Sequence, residues 1–262
     1  MKIATFNVNS IRARMDILRR WISDNDPDVL CLQETKVVDD AFPVDELEAI
    51  GYRAAYRGEK SYNGVAILSR HPMEGVSFGF DGKGKDDGTR LIAARIRDIT
   101  IVNTYVPQGT SPDSERFAYK LDWFRRLREF FSDRYSPESP LLWLGDFNVA
   151  PEPIDVHDPA RLLGHVGYHP EEHRALAGVR SFGFVDIFRK HRPDPGHYSF
   201  WDYRARDAVA RGLGWRVDHI WGTETMASRS IDASIDRAPR LWERPSDHAP
   251  VVAEFTLPVS AR

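Results

Sequence analysis

Leu141-Leu142-Trp143-Leu144 runs straight into Gly145-Asp146-Phe147-Asn148, an apolar stretch that reads as a buried strand ending in a polar island. The same arrangement recurs along the chain. Lys2-Ile3-Ala4-Thr5-Phe6 ends at Asn7, and Val29-Leu30-Cys31-Leu32 ends at Gln33-Glu34-Thr35-Lys36. Two later islands, Val217-Asp218-His219 and Ser246-Asp247-His248, interrupt or adjoin further apolar runs. One carboxylate at a strand end carries little information. Several carboxylates, two asparagines and a histidine so placed are what a site assembled from many loops on one rigid sheet framework leaves in a sequence. The chemistry they suit is metal-assisted hydrolysis.

Working outward, strand-like runs rich in Val, Ile and aromatics fall at Ile3–Phe6, Val29–Leu32, Val65–Ser69, Leu91–Arg95, Ile99–Tyr105, Leu141–Leu144, Trp215–Ile220 and Pro250–Leu257. Amphipathic helices lie between some of them. Ile11, Met15, Leu18 and Ile22 keep a helical period, and a second helix, opening at Ser111-Pro112, turns Phe117, Leu121, Phe124 and Leu127 inward. The runs at 91–95 and 99–105 have no helix between them, so they imply an antiparallel ladder and argue against a purely parallel doubly wound sheet. The expected architecture is α/β: two mixed sheets packed face to face with helices outside.

The chain has 262 residues and 42% hydrophobic content, enough for a substantial core. No Pro/Gly/Ser-rich linker or 20- to 50-residue repeat divides it, which predicts a single domain over 1–262. The glycine-rich stretch Phe78–Gly88 reads as a mobile surface loop. Cys31 is the single cysteine and sits in an apolar run, so it reads as a small core residue in a reducing compartment. With no charged-then-apolar leader and no run of 18 apolar residues, the sequence predicts a cytoplasmic protein without a membrane partner.

The formal net charge of −3 argues weakly against a nucleic-acid partner, but the local pattern differs. From Phe200 to Arg216, Arg204, Arg206, Arg211 and Arg216 outnumber Asp202 and Asp207 and alternate with Phe200, Trp201, Tyr203 and Trp215. Such a segment suits a surface that grips a nucleic-acid backbone and contacts bases, or else a solvated loop with packed aromatics.

Each island has an ordinary structural reading beside a chemical one. Glu34 is either a solvated boundary residue or a hard-oxygen ligand of the kind Mg²⁺ takes in ones and twos. Asp146 and Asn148 form either an Asx turn or, as alternate residues of an extended segment, one group that takes a proton from water and another that orients it. Asp218 is placed to hold His248 cationic, and a cationic imidazole aimed at a phosphoryl oxygen stabilises developing charge. No Gly-x-Ser-x-Gly elbow or Walker loop is present. His165, His169 and His173 fall four apart, but Gly164, Gly167 and Pro170 break the helix that a zinc site there requires.

In this order the islands resemble those of the endonuclease/exonuclease/phosphatase superfamily, and nearly the whole chain resembles its exonuclease III type of abasic-site endonuclease. The motifs that carry the resemblance are Phe6-Asn7-Val8-Asn9-Ser10-Ile11-Arg12-Ala13, Leu32-Gln33-Glu34-Thr35-Lys36, Asn103-Thr104-Tyr105-Val106-Pro107, Gly145-Asp146-Phe147-Asn148, Ser199-Phe200-Trp201-Asp202-Tyr203-Arg204, Trp215-Arg216-Val217-Asp218 and Pro245-Ser246-Asp247-His248-Ala249-Pro250. The resemblance implies a four-layered αββα sandwich. It implies Glu34 as main Mg²⁺ ligand, with Mn²⁺ as a substitute, and Asn7, Asp247, Asp146 and Asn148 at or near the metal. Asp146 would activate water, Asn148 would orient that carboxylate or the phosphate, Tyr105 would contact the phosphate, and His248 with Asp218 would complete the site. Phe200, Trp215 and Val217 match an apolar pocket for a flipped, base-free sugar, with Lys36, Gln108, Trp201 and Arg204 as further DNA contacts.

The implied substrate is double-stranded DNA with abasic sites or blocked 3′ ends, cut 5′ to the lesion by a monomer without organic cofactor. Phosphoinositide phosphatases and sphingomyelinases share the Glu, Gly-Asp-x-Asn and Ser-Asp-His islands but lack the aromatic stretch. Two alternatives stay open: mainly 3′→5′ exonuclease or 3′-phosphatase activity, and a DNA-binding module with an inactive site. The segment 152–179 matches the family pattern poorly.

Overall fold

The computed structural model describes residues 1–80 and 87–258; part of the predicted loop Phe78–Gly88 lies outside them. The strands are β1 Lys2–Asn7, β2 Val29–Gln33, β3 Arg53–Arg57, β4 Val65–Ser69, β5 Met73–Phe78, β6 Leu91–Ile96, β7 Ile99–Tyr105, β8 Leu141–Asp146, β9 Phe184–Asp186, β10 Asp218–Thr223, β11 Ser230–Ile235 and β12 Val251–Phe255. The helices are α1 Met15–Asn25, α2 Val44–Glu48, α3 Glu115–Arg134, α4 Pro159–Leu162, α5 Pro170–Arg180, α6 Ile187–His191 and α7 Glu224–Arg229.

Two six-stranded sheets form, in the orders β11-β12-β1-β2-β4-β3 and β5-β6-β7-β8-β10-β9. Each has one parallel pair at its centre, β1 with β2 and β7 with β8, and antiparallel neighbours on both sides. The parallel pairs are joined through α1 and α3, the helical crossovers that parallel strands require. Because both pairs run the same way out of the core, Asn7 and Gln33 end one pair in register, and Tyr105 and Asp146 end the other.

Alternation along the strands divides the apolar residues between faces. Ile3, Cys31 and Ile67 of the first sheet meet Ile101, Leu142 and Leu144 of the second between the sheets. On the outer faces, Ala4, Phe6 and Leu32 pack on Leu18, Trp21 and Ile22 of α1, while Val102 and Trp143 pack on Trp123, Phe124 and Leu127 of α3 and Leu176 of α5. The result is the αββα sandwich. Strands covered on both faces, such as β2, β4 and β8, are buried at every position, which is why they read as unbroken apolar runs.

Four strands escaped the sequence reading: β3, β5, β9 and β11. All are edge strands, and the exposed and intermediate positions of β3, β5 and β11 dilute the apolar signal. The expected strand over Trp215–Ile220 pairs regularly only from Asp218; Trp215 makes isolated bridges to Val156 and Phe200. Arg216, expected among the surface arginines, is instead fully buried, its guanidinium 2.7 Å from Asp155 and 2.8 Å from Asp186. Helix α3 also begins later than expected. The Ser114 hydroxyl accepts from the Phe117 N–H and caps it, whereas the Ser111 carbonyl closes a preceding turn by accepting from the Ser114 N–H. Among the described residues, no helix is long and apolar enough to cross a membrane.

Polar side chains bridge the sheets beneath the strand ends. Gln33 Nε2 donates to Thr5 Oγ1 at 2.8 Å and, across the interface, to Asn103 Oδ1 at 2.7 Å. Asn103 Nδ2 in turn donates to the Leu32 and Ala66 carbonyls at 3.0 and 2.9 Å. Gly145 permits the close approach of β7 and β8, since its φ is +132° and a Cβ there would stand 2.0 Å from the Thr104 carbonyl oxygen. Strain and overpacking together predict that Gly145→Ala destabilises the protein by about 3 kcal/mol or more. Urea unfolding within about 1 kcal/mol of wild type would contradict this account.

Candidate active site

The strand ends converge on one edge of the sandwich, and side chains from both sheets meet there. Asn7 Nδ2 donates to Glu34 Oε1 and to Asp146 Oδ2, each at 2.8 Å, so one amide joins carboxylates from the two sheets. Its Oδ1 accepts the Asn9 N–H at 3.0 Å, which fixes which end faces the carboxylates. Asn7, expected at or near the metal, stands between the two carboxylates with its nitrogen toward them and its oxygen turned to Asn9. Ligand atoms of Glu34, Asp146 and His248 all lie within 4.8 Å of one another.

Asp146 is fully buried at the end of β8, with its Oδ1 accepting the Asn148 N–H at 2.9 Å. The Asx turn and the candidate catalytic pair of Asp146 and Asn148 are thus the same structure. Asn148 is not extended, as the sequence reading had it; its φ is +53°, and its Nδ2 reaches the Val106 carbonyl at 2.9 Å and Asp146 Oδ2 at 3.3 Å. Asn9, Ser10, Glu34 and Lys36 share this left-handed conformation, and strain of that kind marks ligand clamps.

His248 Nδ1 lies 2.8 Å from Asp218 Oδ2, and its Nε2 lies 3.9 Å from Asp146 Oδ2. Ser199 and Ser246 hold this arrangement: Ser199 Oγ donates to Asp218 at 2.7 Å, and Ser246 Oγ donates to the Asn7 carbonyl at 2.7 Å and accepts the His248 N–H at 3.2 Å. Burial works against the imidazolium, but Asp218 and Asp146 outweigh it and raise His248 to about 10. Burial pushes the Asp146 carboxyl up to about 7, against the pull of His248. Burial also acts to raise Glu34, yet the Lys36 ammonium, 2.7 Å from Oε2, together with Asn7, holds it below its ordinary value. Tyr105 is held far above its usual range by burial and by Glu34 and Asp146, so it stays a neutral donor beside them. Glu34 is therefore held ionised, Asp146 is poised near neutrality and His248 is held cationic.

A cleft of about 1230 Å³ opens over this floor. Glu34, Lys36, Tyr105, Gln108, Asn148, Phe200, Arg204, Trp215, Val217, Asp247 and His248 all line it. Phe200 packs on the His248 ring with centroids 4.9 Å apart, and Trp215 bridges to Phe200. Trp201, expected as a DNA contact, does not reach the cleft: it is 1% exposed and packs with Ala208 and Ala249. Arg204 extends into solvent and pairs with Asp202. Asp247 stands off from the central cluster and is joined to it through Asn9, whose Nδ2 donates to Asp247 Oδ1 at 2.9 Å and whose Oδ1 accepts from Lys36.

Sequence reasoning did not assign a role to Asn9, although its position two residues after Asn7 on the same motif was a usable signal. The segment 152–179 also gains a place: Leu163–Gly167 forms one wall of the cleft, with Leu163 exposed at its rim.

Paired carboxylates, a buried cationic histidine and a cleft rimmed by aromatics on an αββα sandwich define a metal-assisted phosphodiesterase. The chain belongs to the Endonuclease/Exonuclease/phosphatase family, whose profile matches residues 4–248. Exodeoxyribonuclease III of Haemophilus influenzae is 34% identical over 97% of this chain and 100% of its own length. Among solved structures, an AP endonuclease from Archaeoglobus fulgidus is 49% identical with TM-score 0.95, covering 98% of this chain and 100% of that one. A 3′ phosphatase from Neisseria, bound to a product DNA hairpin, is 38% identical with TM-score 0.93 at the same coverage. The protein is a nuclease-type phosphodiester hydrolase.

Raising His248 from 6.5 to about 10 makes its pairing contribution to stability full below pH 6.5 and lost as pH rises through about 10. Asp218→Asn should return the imidazole titration, followed by NMR, toward about 6.5 and flatten that pH dependence. An unchanged His248 titration in this variant would remove Asp218 as the cause.

Proposed function

We propose that this protein is a Mg²⁺-dependent DNA repair nuclease that hydrolyses the phosphodiester 5′ to abasic sites and also trims 3′ ends. The observation that carries the reading is the meeting of ligand atoms of Glu34, Asp146 and His248 within 4.8 Å, with Asp146 buried behind Glu34 and His248, which line a cleft together with Phe200 and Trp215. We read residues 1–262 as one domain acting as a monomer; side chains from both sheets meet at one site over one shared core.

The donor set fits a hard divalent cation. Glu34 already attracts one cation, the Lys36 ammonium. We read His248, whose Nδ1 is engaged by Asp218 at 2.8 Å, as a cation that faces the phosphate rather than as a ligand. Glu34 would hold Mg²⁺, with Asp146 and Asn148 facing it and Asp247 at the margin; Mn²⁺ meets the same oxygen preference. When bound, the metal neutralises phosphoryl charge.

The protein's own groups divide the remaining work. Asp146, raised to about 7, holds a water and takes its proton, as a base matched to neutral pH can. His248 donates a charged hydrogen bond to a phosphoryl oxygen and stays cationic through the step because Asp218 compensates it. Tyr105 donates to the phosphate, and Asn148 holds Asp146 in direction. Phe200, Trp215 and Val217 form an apolar wall suited to a sugar that lacks its base, and a missing base also removes the pairing and stacking cost of extrusion.

A second reading, 3′-end phosphatase and exonuclease activity with minor abasic cleavage, is favoured by the 38% identical Neisseria 3′ phosphatase. The two separate in one experiment: a labelled duplex with one abasic analogue, incubated with Mg²⁺ or EDTA and mapped at nucleotide resolution. The proposed function requires one Mg²⁺-dependent cut 5′ to the lesion, whereas a ladder from the 3′ ends with the lesion ignored moves it to the second reading. Asp146→Asn should lower turnover about 10²- to 10⁴-fold with DNA binding kept, and wild-type turnover would sink its assigned role. Trp215→Ala should reduce the ratio of cleavage on abasic over intact duplex; an unchanged ratio would place selectivity elsewhere.

A further inference from the structure

Helix α3 turns a lysine, not an apolar side chain, into the interior: Lys120 is fully buried while its neighbour Leu121 is only half-buried. The ammonium lies 3.1 Å from the Gln108 carbonyl, 2.8 Å from the Asn148 carbonyl and 2.5 Å from Glu172 Oε1, so each of its three N–H donors has an acceptor. Glu172 is equally buried, and its Oε2 accepts the Gly167 and His169 N–H groups at 2.7 and 3.1 Å. One ion pair therefore ties together the loops after β7 and β8 and the loop before α5, all of which reach the cleft.

Burying two charges costs several kcal/mol per ion, and well-packed apolar residues often do as well or better for stability. The pair's contacts point to another use. The Lys120 ammonium holds the carbonyl of Asn148, a residue kept at φ +53°, and it is this turn that aims the Asn148 N–H and Nδ2 at the two oxygens of Asp146.

We propose that the Lys120–Glu172 pair is a positioning device for catalysis, clamping the Asn148 backbone so that the Asp146 carboxylate keeps its direction toward the water it holds. The inference rests on the role given to Asp146 above. Lys120 touches neither substrate nor metal; it acts through Asn148.

The test is steady-state kinetics of Lys120→Met/Glu172→Gln on a duplex with one abasic analogue in Mg²⁺, beside thermal unfolding. The double change removes both charges yet leaves an amide oxygen for the Gly167 and His169 N–H groups. A misdirected base predicts a kcat lower by about 10- to 100-fold, with KM within about threefold and Tm within about 5 °C. A folded variant with wild-type kcat overturns the proposal. So does a loss confined to KM, which would make the pair an anchor of DNA-gripping loops only.

Should the double variant not fold, Lys120→Arg keeps a cation against Glu172 and gives the same readout. A planar guanidinium does not match three converging oxygens as an ammonium does, so kcat should fall with KM held, and an unchanged kcat overturns the proposal. Absence of incision by the wild-type protein would instead refute the functional reading itself.

Discussion

A single amide group holds the centre of this molecule together. Asn7 Nδ2 stands between Glu34 and Asp146, 2.8 Å from each, and those carboxylates belong to different sheets. Without a donor between them, two carboxylates brought this close at a buried edge would repel, and one would take up a proton. The amide separates and orients them while the edge still presents oxygen toward the cleft. The Gln33–Asn103 bridge just below fastens the same two sheets with neutral hydrogen bonds. The site is thus stitched across the interface rather than carried by either layer, and its geometry depends on how the sheets pack.

Charge is managed in the same manner throughout. Glu34 is compensated by Lys36, His248 by Asp218, and Arg216 beneath the floor by Asp155 and Asp186. His219, burdened by burial and by the Arg216 guanidinium, is lowered to about 4 and stays neutral, its Nε2 2.9 Å from the Val149 carbonyl. Buried networks of charge pairs and hydrogen bonds hold their members in single orientations, and preorganised donors and charges need no rearrangement as charge develops on a phosphoryl group. The net charge of −3 does not prevent an anionic substrate, because acidic groups at the site are either compensated or poised to hold a cation.

Backbone strain completes the arrangement. Asn9, Glu34, Lys36 and Asn148 turn left-handed immediately after strands end, which swings successive side chains off the sheet direction and into the cleft. Regular strand geometry would have alternated them between faces. The strain is tolerated because these residues' neighbours are fixed by ladder hydrogen bonds on one side and by cross-loop bonds, such as the Ser10 N–H to the Glu34 carbonyl at 2.7 Å, on the other.

Much was legible before any coordinates. Central strands announce themselves as apolar runs because both faces are covered, and the polar islands mark where those runs leave the core, so Glu34, Asp146, Asp218 and His248 could be named as candidates together. The sequence by itself determined which residue types stand at the ends of which strands, since hydrophobic patterning is a local property of the chain. Only the tertiary structure decided what each then does. Trp201 and Arg216 look like surface DNA contacts in sequence but lie inside, Lys120 occupies the apolar face of its helix between Phe117 and Phe124 although its residue type points to solvent, and Asn7 offers its nitrogen rather than its oxygen. The physical reason is that burial and pairing are set by partners distant in sequence, 28 residues away for Lys120 and Asn148 and 139 for Asn7 and Asp146, and no local pattern records which partners the packed sheets will supply.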